Sequence, residues 1–296
     1  MARKTDLSIF VPSLEAGGAE LAMLQIANGF AERGLQVDLV LIEAKGVFIN
    51  QVSGKVRIVS LDSHRTRYSF WKLFQYLKKE KPKSLISAHD GANVLAILAK
   101  FFSFVPTRII ITIHSYLSLS YNPRKDKNLA RLNTQALFQI LKVAYKYADD
   151  IVAVSTGVAD EVSRITKVKR NQVHVFYLPV LTDRFYDLKR RSVENPLLID
   201  KNFRTILSVG RLTPAKDYAT LIRAFSIVSK EIPSRLLILG EGESRQELER
   251  LISECGLTGA VYLPGFAKNC YPYMKRCDLF VVSSAWEGLS TVLIEA

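Results

Sequence analysis

Short runs of apolar residues alternate along this chain with stretches whose apolar positions recur at helical spacing. That alternation leaves few folds open, because strands joined by helices run parallel and a parallel sheet needs helices on both faces. The runs 7–14, 37–43, 57–61, 84–89, 108–114, 151–155 and 173–178 read as strands, and 18–33, 69–80, 92–103, 129–148 and 157–165 as helices. Between Pro179 and Asn202 the periodicity stops and charges crowd together (DRFYDLKRRSVENP). A second series follows, with strands at 204–209, 235–239, 261–263 and 278–284 and helices at 217–230, 244–254 and 271–275. The expectation is an α/β protein with one domain over 1–180, a linker over 181–202 and a second domain over 203–296.

A chain of 296 residues is long enough for two such cores. Met1 to Asp6 leads straight into an apolar strand with no long signal-like run, and the longest apolar stretch, 94–105, is interrupted by Lys100 and too short to span a bilayer. Three cysteines without paired spacing argue against a disulfide framework and a zinc site, which fits a cytoplasmic protein. Charge is unevenly spread: residues 1–180 carry 25 Lys/Arg against 14 Asp/Glu, a net of +11, and residues 181–296 carry 16 against 14, a net of +2. A basic first half suits an anionic lipid surface or a phosphorylated acceptor; no nucleic-acid recognition motif accompanies it. Much of that charge lies in 65–83 (RTRYSFWKLFQYLKKEKPK), where Phe70, Leu73, Phe74 and Leu77 share one helical face beside Trp71. Such a helix either covers the sheet with a solvated face or lies at a membrane surface. The polar and aromatic loop 115–127, with Tyr116, Leu117, Leu119, Tyr121, Arg124 and Lys125, is a second candidate for acceptor or lipid contact.

The chemistry concentrates in 286–296 (WEGLSTVLIEA), which sets Glu287 and Glu295 eight residues apart across a strand-to-helix junction. A carboxylate before the turn can accept hydrogen bonds from sugar hydroxyls, and one a turn into the helix can reach a ribose diol. The helix start itself favours an anion.

This stretch resembles the E-x7-E signature of the retaining glycosyltransferases with two Rossmann-like domains facing a cleft, the GT-B fold, and in particular glycosyltransferase family 4, group 1. Other segments are similar to that family. Ser208 to Tyr218 (SVGRLTPAKDY) resembles its G-R-x-x-x-x-K-G segment, which implies diphosphate binding by Gly210, Arg211 and Lys216, with Asp217 standing where glycine is usual. Fixed cations there would stabilise the charge left on a departing diphosphate. Leu239 to Glu243 (LGEGE) resembles the G-x-G turn beside the nucleotide base, implicating Gly240 and Gly242, and lacks the third glycine of a dinucleotide fingerprint. Pro12 to Glu20 (PSLEAGGAE) resembles the G-G-A-E loop, placing Gly17 and Gly18 at the donor phosphate. His114, at a strand end like His89, stands where the family contacts the transferred sugar. In VFYLPV, Leu178 replaces the usual hinge asparagine.

The resemblance implies a retaining hexosyltransferase using a nucleotide-sugar, usually a UDP-sugar, and acting on a lipid-linked or cell-surface polysaccharide acceptor. Catalysis would fall to Glu287, His114, Arg211 and Lys216, and donor binding to Gly17, Gly18, Gly210, Arg211, Lys216, Gly240, Gly242, Glu287, Gly288, Leu289 and Glu295. No Asp-x-Asp motif is present, so neither a metal nor another cofactor is expected. The expected setting is the cytoplasm, with peripheral contact at the inner membrane face. Family members continue past this motif, so the second domain is expected to be incomplete. The alternative is an impaired or non-catalytic sugar-nucleotide-binding remnant.

Overall fold

The computed structural model describes residues 4–15, 17–63, 66–121, 129–181, 183–192 and 202–296. The chain divides into two units, Met1–Pro179 and Val180–Ala296.

In the first unit the apolar runs become β1 (Leu7–Val11), β2 (Val37–Leu41), β3 (Arg57–Ser60), β4 (Ser84–Ala88), β5 (Arg108–Ile113), β6 (Asp150–Ala153) and β7 (Val173–Val175). The helices between them are α1 (Gly18–Glu32), α2 (Phe70–Glu80), α3 (Asp90–Ser103), the short α4 (Leu117–Ser120), α5 (Leu129–Ala144) and α6 (Thr156–Thr166). All seven strands pair in parallel, in the order β3-β2-β1-β4-β5-β6-β7. β1 is buried at every residue, its one polar member, Ser8, included. Leu7, Ile9 and Val11 pack with Met23, Leu24 and Ala27 of α1, while Ser8, pointing the other way, meets the Tyr76 hydroxyl of α2 at 2.6 Å. Beneath α2, the buried Asp38 accepts hydrogen bonds from Thr5 (3.0 Å), Tyr76 (2.7 Å) and Arg57 Nε (2.9 Å). The order reverses between β1 and β4, and a crevice for ligands forms at such a switch, at the carboxyl ends of the strands.

The second unit holds α7 (Asp183–Arg190), β8 (Arg204–Val209), α8 (Tyr218–Glu231), β9 (Ser234–Leu239), α9 (Arg245–Glu254), β10 (Val261–Gly265), α10 (Tyr271–Arg276), β11 (Leu279–Phe280) and α11 (Thr291–Glu295). Its four parallel strands run β10-β9-β8-β11, so the switch lies between β8 and β11. Ile222, Phe225, Leu248 and Ile252 cover one face of the sheet; Tyr273 and Met274 of α10 cover the other.

One expectation needs correction. The run 278–284 is not a strand buried on both faces. Only Leu279 and Phe280 form strand, and Leu279 is 52% exposed, because among the described residues β11 pairs with β8 alone. Hydrogen bonds from Asp278 N to Thr205 O and Val281 N to Leu207 O carry the pairing one residue further each way. The segment 181–202 carries α7, which packs on α10 through Phe185 and Tyr271, with ring centroids 4.9 Å apart. Residues 193–201 of that segment lie outside the described residues, as do Arg65, Arg124 and Lys125.

Candidate active site

In the second unit, the loops after β8 and β11 leave the switch point side by side and are tied together. Ala285 N donates to Ala215 O (2.9 Å), Ser283 Oγ to Lys216 O (2.8 Å), and Lys216 Nζ to Glu287 Oε1 (2.6 Å). Ser284 Oγ donates to the same carboxylate oxygen. Burial alone would push the Glu287 carboxyl up, but the hydrogen bonds from Lys216 and Ser284 outweigh it and hold the group below the usual carboxylate value. Glu287 is therefore ionised at neutral pH and fixed in place. Arg211, in the same loop as Lys216, is exposed and makes no side-chain hydrogen bond among the described residues.

The glycines position these groups. Gly240 has φ +152, and a Cβ there would lie 2.0 Å from Gly210 O; a Cβ on Gly242 would lie 2.3 Å from Leu212 O. What approaches these two glycines is the chain's own backbone. Leu212 N donates to Glu241 O and Ser244 N to Leu212 O, both at 2.9 Å, so the loop after β9 fixes the loop bearing Arg211. A Cβ on Gly210 would meet the Tyr218 hydroxyl at 2.8 Å and Lys216 Cε at 3.0 Å, so its bareness makes room for the Lys216 side chain. Asp217 has φ +46, which explains a preference for glycine at this position. Its carboxylate caps α8, accepting from Thr220 N (3.3 Å) and Thr220 Oγ1 (2.8 Å).

Gly288 and Leu289 lie in the turn into α11. The five residues of α11 carry only a small dipole, and of the two cations on the loop after β8, Lys216 is paired with Glu287 while Arg211 is exposed. Glu295 accepts a hydrogen bond from the Tyr271 hydroxyl (3.0 Å), and burial raises its carboxyl above the usual value. The serines 283 and 284 were not legible as site residues, because nothing in their spacing distinguishes them from ordinary loop polarity.

At the switch point of the first unit, Gly17 caps the start of α1, which begins at Gly18, and Glu20 folds back over it; a Cβ on Gly17 would lie 2.1 Å from Glu20 Oε2. Glu20 Oε1 lies 3.3 Å from His89 Nε2, and His89 holds the left-handed backbone φ of +75 at the end of β4. His114, just past β5, contacts Thr112 Oγ1 through Nε2 (2.9 Å), while its buried Nδ1 has no hydrogen-bond partner among the described residues. Burial, reinforced by His89, brings the His114 imidazole down to about 4, so the ring is neutral at physiological pH. Glu20, His89 and His114 thus share one electrostatic neighbourhood. The loop after His114 is pinned by buried Glu161 of α6, which accepts from Leu117 N (2.7 Å) and Ser118 N (3.3 Å). Asp90 accepts from the Tyr121 and Tyr145 hydroxyls, both at 2.9 Å. Glu161 had a signal in the sequence: an acid on the apolar face of a helix, between Val158, Val162 and Ile165. Among the described residues, no group of three or more His, Cys, Asp and Glu is arranged to hold a metal ion, and no helix is long and apolar enough to cross a membrane.

Comparison with known proteins bears on this geometry. The model of Glycosyltransferase Family 4 matches residues 16–184, and that of Glycosyl transferases group 1 matches residues 189–296. An uncharacterized glycosyltransferase of Methanocaldococcus jannaschii is 30% identical over 76% of this chain, which spans 56% of that relative's length. The N-acetylgalactosamine-N,N'-diacetylbacillosaminyl-diphospho-undecaprenol 4-alpha-N-acetylgalactosaminyltransferase of Campylobacter jejuni is 30% identical over 98% of this chain and 77% of its own. Among solved structures, Anabaena HepE in complex with UDP and glucose superposes with a TM-score of 0.75 at 18% identity, covering 99% of this chain and 78% of that one. Sucrose-phosphate synthase of Thermosynechococcus elongatus gives a TM-score of 0.79 at 16% identity, with the same coverage. These likenesses agree with the two parallel α/β units and identify the fold as GT-B.

Proposed function

The chain belongs to glycosyltransferase family 4, and from that premise we propose that it moves a sugar from a UDP-sugar to a lipid-linked or cell-surface polysaccharide acceptor, with retention at the anomeric carbon. The observation that carries this reading is the half-buried Lys216–Glu287 contact at the β8/β11 switch point, with Arg211 on the loop it braces. A sugar diphosphate has two needs there: cations for the leaving group and a fixed acceptor for the sugar hydroxyls. Lys216 retains further ammonium N–H donors beyond the one given to Glu287. Arg211 supplies a guanidinium able to grip phosphate oxygens in pairs.

The bond between the anomeric carbon and the diphosphate oxygen breaks as the acceptor hydroxyl approaches from the same face. A new bond forms between that carbon and the acceptor oxygen, and the acceptor's proton passes to the departing diphosphate. Residues then act by charge and position. Glu287 orients the sugar and Arg211 and Lys216 stabilise the leaving group, while His114, neutral in the folded protein, is the residue that the family resemblance assigns to the transferred sugar. The family resemblance assigns Gly17 and Gly18 to the donor phosphate; in the free protein the Glu20 carboxylate lies over Gly17. Gly288, Leu289 and Glu295 complete the donor pocket. The UDP carrier is supported by HepE, whose structure contains UDP and glucose, and the lipid-linked acceptor by the Campylobacter relative's diphospho-undecaprenol substrate. We place the work in the cytoplasm at the inner membrane face.

The test is transfer from a panel of UDP-sugars to polyprenyl-diphosphate-linked glycans, with product anomers read by NMR. An axial donor linkage should give an axial product. An inverted product would overturn retention, and UDP binding without transfer to any acceptor would favour a binding protein over an enzyme.

A further inference from the structure

Positions two apart on a strand share a face, so at the end of β5 Thr112 carries the one hydroxyl of the run 108–114 on the same side as the His114 ring. Thr112 is buried, and its Oγ1 makes two contacts of 2.9 Å, one to Ser87 O and one to His114 Nε2. A backbone carbonyl can only accept, so the single hydroxyl hydrogen goes to Ser87 O. Toward His114 the same oxygen therefore accepts, and Nε2 must carry the ring hydrogen. Burial and the neighbouring His89 disfavour the charged imidazole, so the neutral ring has no second N–H and Nδ1 is left as a bare lone pair. That atom is buried and has no hydrogen-bond partner among the described residues. A buried acceptor without a donor costs stability, and a ligand that brings a hydrogen to it recovers that cost.

The partners of Thr112 are themselves held. Buried Asn93 of α3 clasps both strands, donating from Nδ2 to Thr112 O (3.0 Å) and accepting at Oδ1 from Ser87 Oγ (2.6 Å). Asn93 Nδ2 also donates to the Tyr145 hydroxyl (3.3 Å), which passes its own hydrogen to Asp90 (2.9 Å). Each direction follows from an end that can only accept, the Thr112 carbonyl or the Asp90 carboxylate. We propose that Thr112 is the positioning residue for His114: it fixes the Nε2–H tautomer, so that Nδ1 takes a hydrogen from a sugar hydroxyl of the nucleotide-sugar and turns away an anionic oxygen such as a carboxylate or phosphate. The tautomer follows from the contacts alone, whereas its use on the sugar rests on the transferase reading.

The two parts are measured separately on the full chain. Long-range proton–nitrogen NMR of the free protein at neutral pH, with the His114 signals identified by their absence in His114→Gln, should show Nε2 protonated and Nδ1 bare. Thr112→Val keeps the side chain's shape and removes the acceptor, so its spectrum should show mixed tautomers, and Thr112→Ser should restore the wild-type pattern. Turnover in Thr112→Val should fall about ten-fold at unchanged UDP affinity, with Thr112→Ser recovering it. Among monodeoxy analogues of the UDP-sugar that the wild type uses, the one lacking the hydroxyl that faces Nδ1 should be used equally well by wild type and Thr112→Val. An Nδ1–H tautomer or an even mixture in the wild type overturns the proposal, as does a Thr112→Val spectrum identical to the wild type's. The expected tautomer with wild-type turnover in Thr112→Val would overturn its role on the sugar. A wild type that binds no UDP would sink the transferase reading and the sugar contact with it, while the spectrum would still decide the tautomer.

Discussion

Lys216 and Glu287 hold each other in the free protein, so neither must be ordered when a donor arrives. That favours Glu287→Gln as the sharper probe, since it keeps the side chain's shape and removes its charge. Turnover should fall about ten-fold or more, with a smaller change in UDP affinity, if the group acts on the sugar; an unchanged turnover would remove Glu287 from that role. The carboxyl lies below its unfolded value, so its contribution to stability is present above about pH 4.5 and is lost as the pH falls through the lower folded value. His114 acts in the same direction for the opposite reason. Its folded value of about 4 lies below the ordinary 6.5, so the unfolded chain takes up a proton first, and stability drops as the pH falls from about 6.5 to about 4. The loss amounts to roughly 2 to 3 kcal/mol. Urea titrations at both ends of that window should show a smaller pH dependence in His114→Gln than in the wild type; equal dependence would mean the imidazole is not held neutral.

The elements around these residues show how far a sequence can be read. β1, β2, β4 and β5 were legible because each is a mostly apolar run, broken by a polar residue such as Ser8, Asp38, Ser87 or Thr112, with helical patterns on both sides. β11 was misread as a longer buried strand, since an apolar run gives no sign of how many neighbours it will pair with. The glycine motifs were legible as tight turns, but which atoms approach them depends on how two distant loops pack. Gly240→Ala tests that packing: its Cβ would meet Gly210 O at 2.0 Å, so the loops must part. A loss of about 1 to 3 kcal/mol in stability is expected, together with weaker UDP binding because Arg211 moves. Full UDP affinity in a destabilised variant would uncouple the turn from the site. Glu161→Ala should likewise free the loop after His114, leaving the buried N–H groups of Leu117 and Ser118 unpartnered. Faster amide exchange across 115–121 is the expected readout, and unchanged exchange would mean other contacts pin the loop.

For the molecule as a whole, each unit has its own sheet, its own buried cluster and its own switch point, and the positive charge is concentrated in the first. The second unit carries the donor's proposed diphosphate contacts with a net charge of only +2 over 181–296, so specific cations rather than a general field must hold the ligand. Because those cations are side chains, transfer should be unaffected by EDTA, and a loss of activity on chelation would put a metal in the reaction. The most direct measurement is calorimetry of UDP and of uridine on wild-type protein and Arg211→Ala. The substitution should weaken UDP by about 1.5 to 3 kcal/mol and leave uridine binding unchanged. Equal effects on both ligands, or none on either, would contradict a diphosphate site at the β8/β11 switch point.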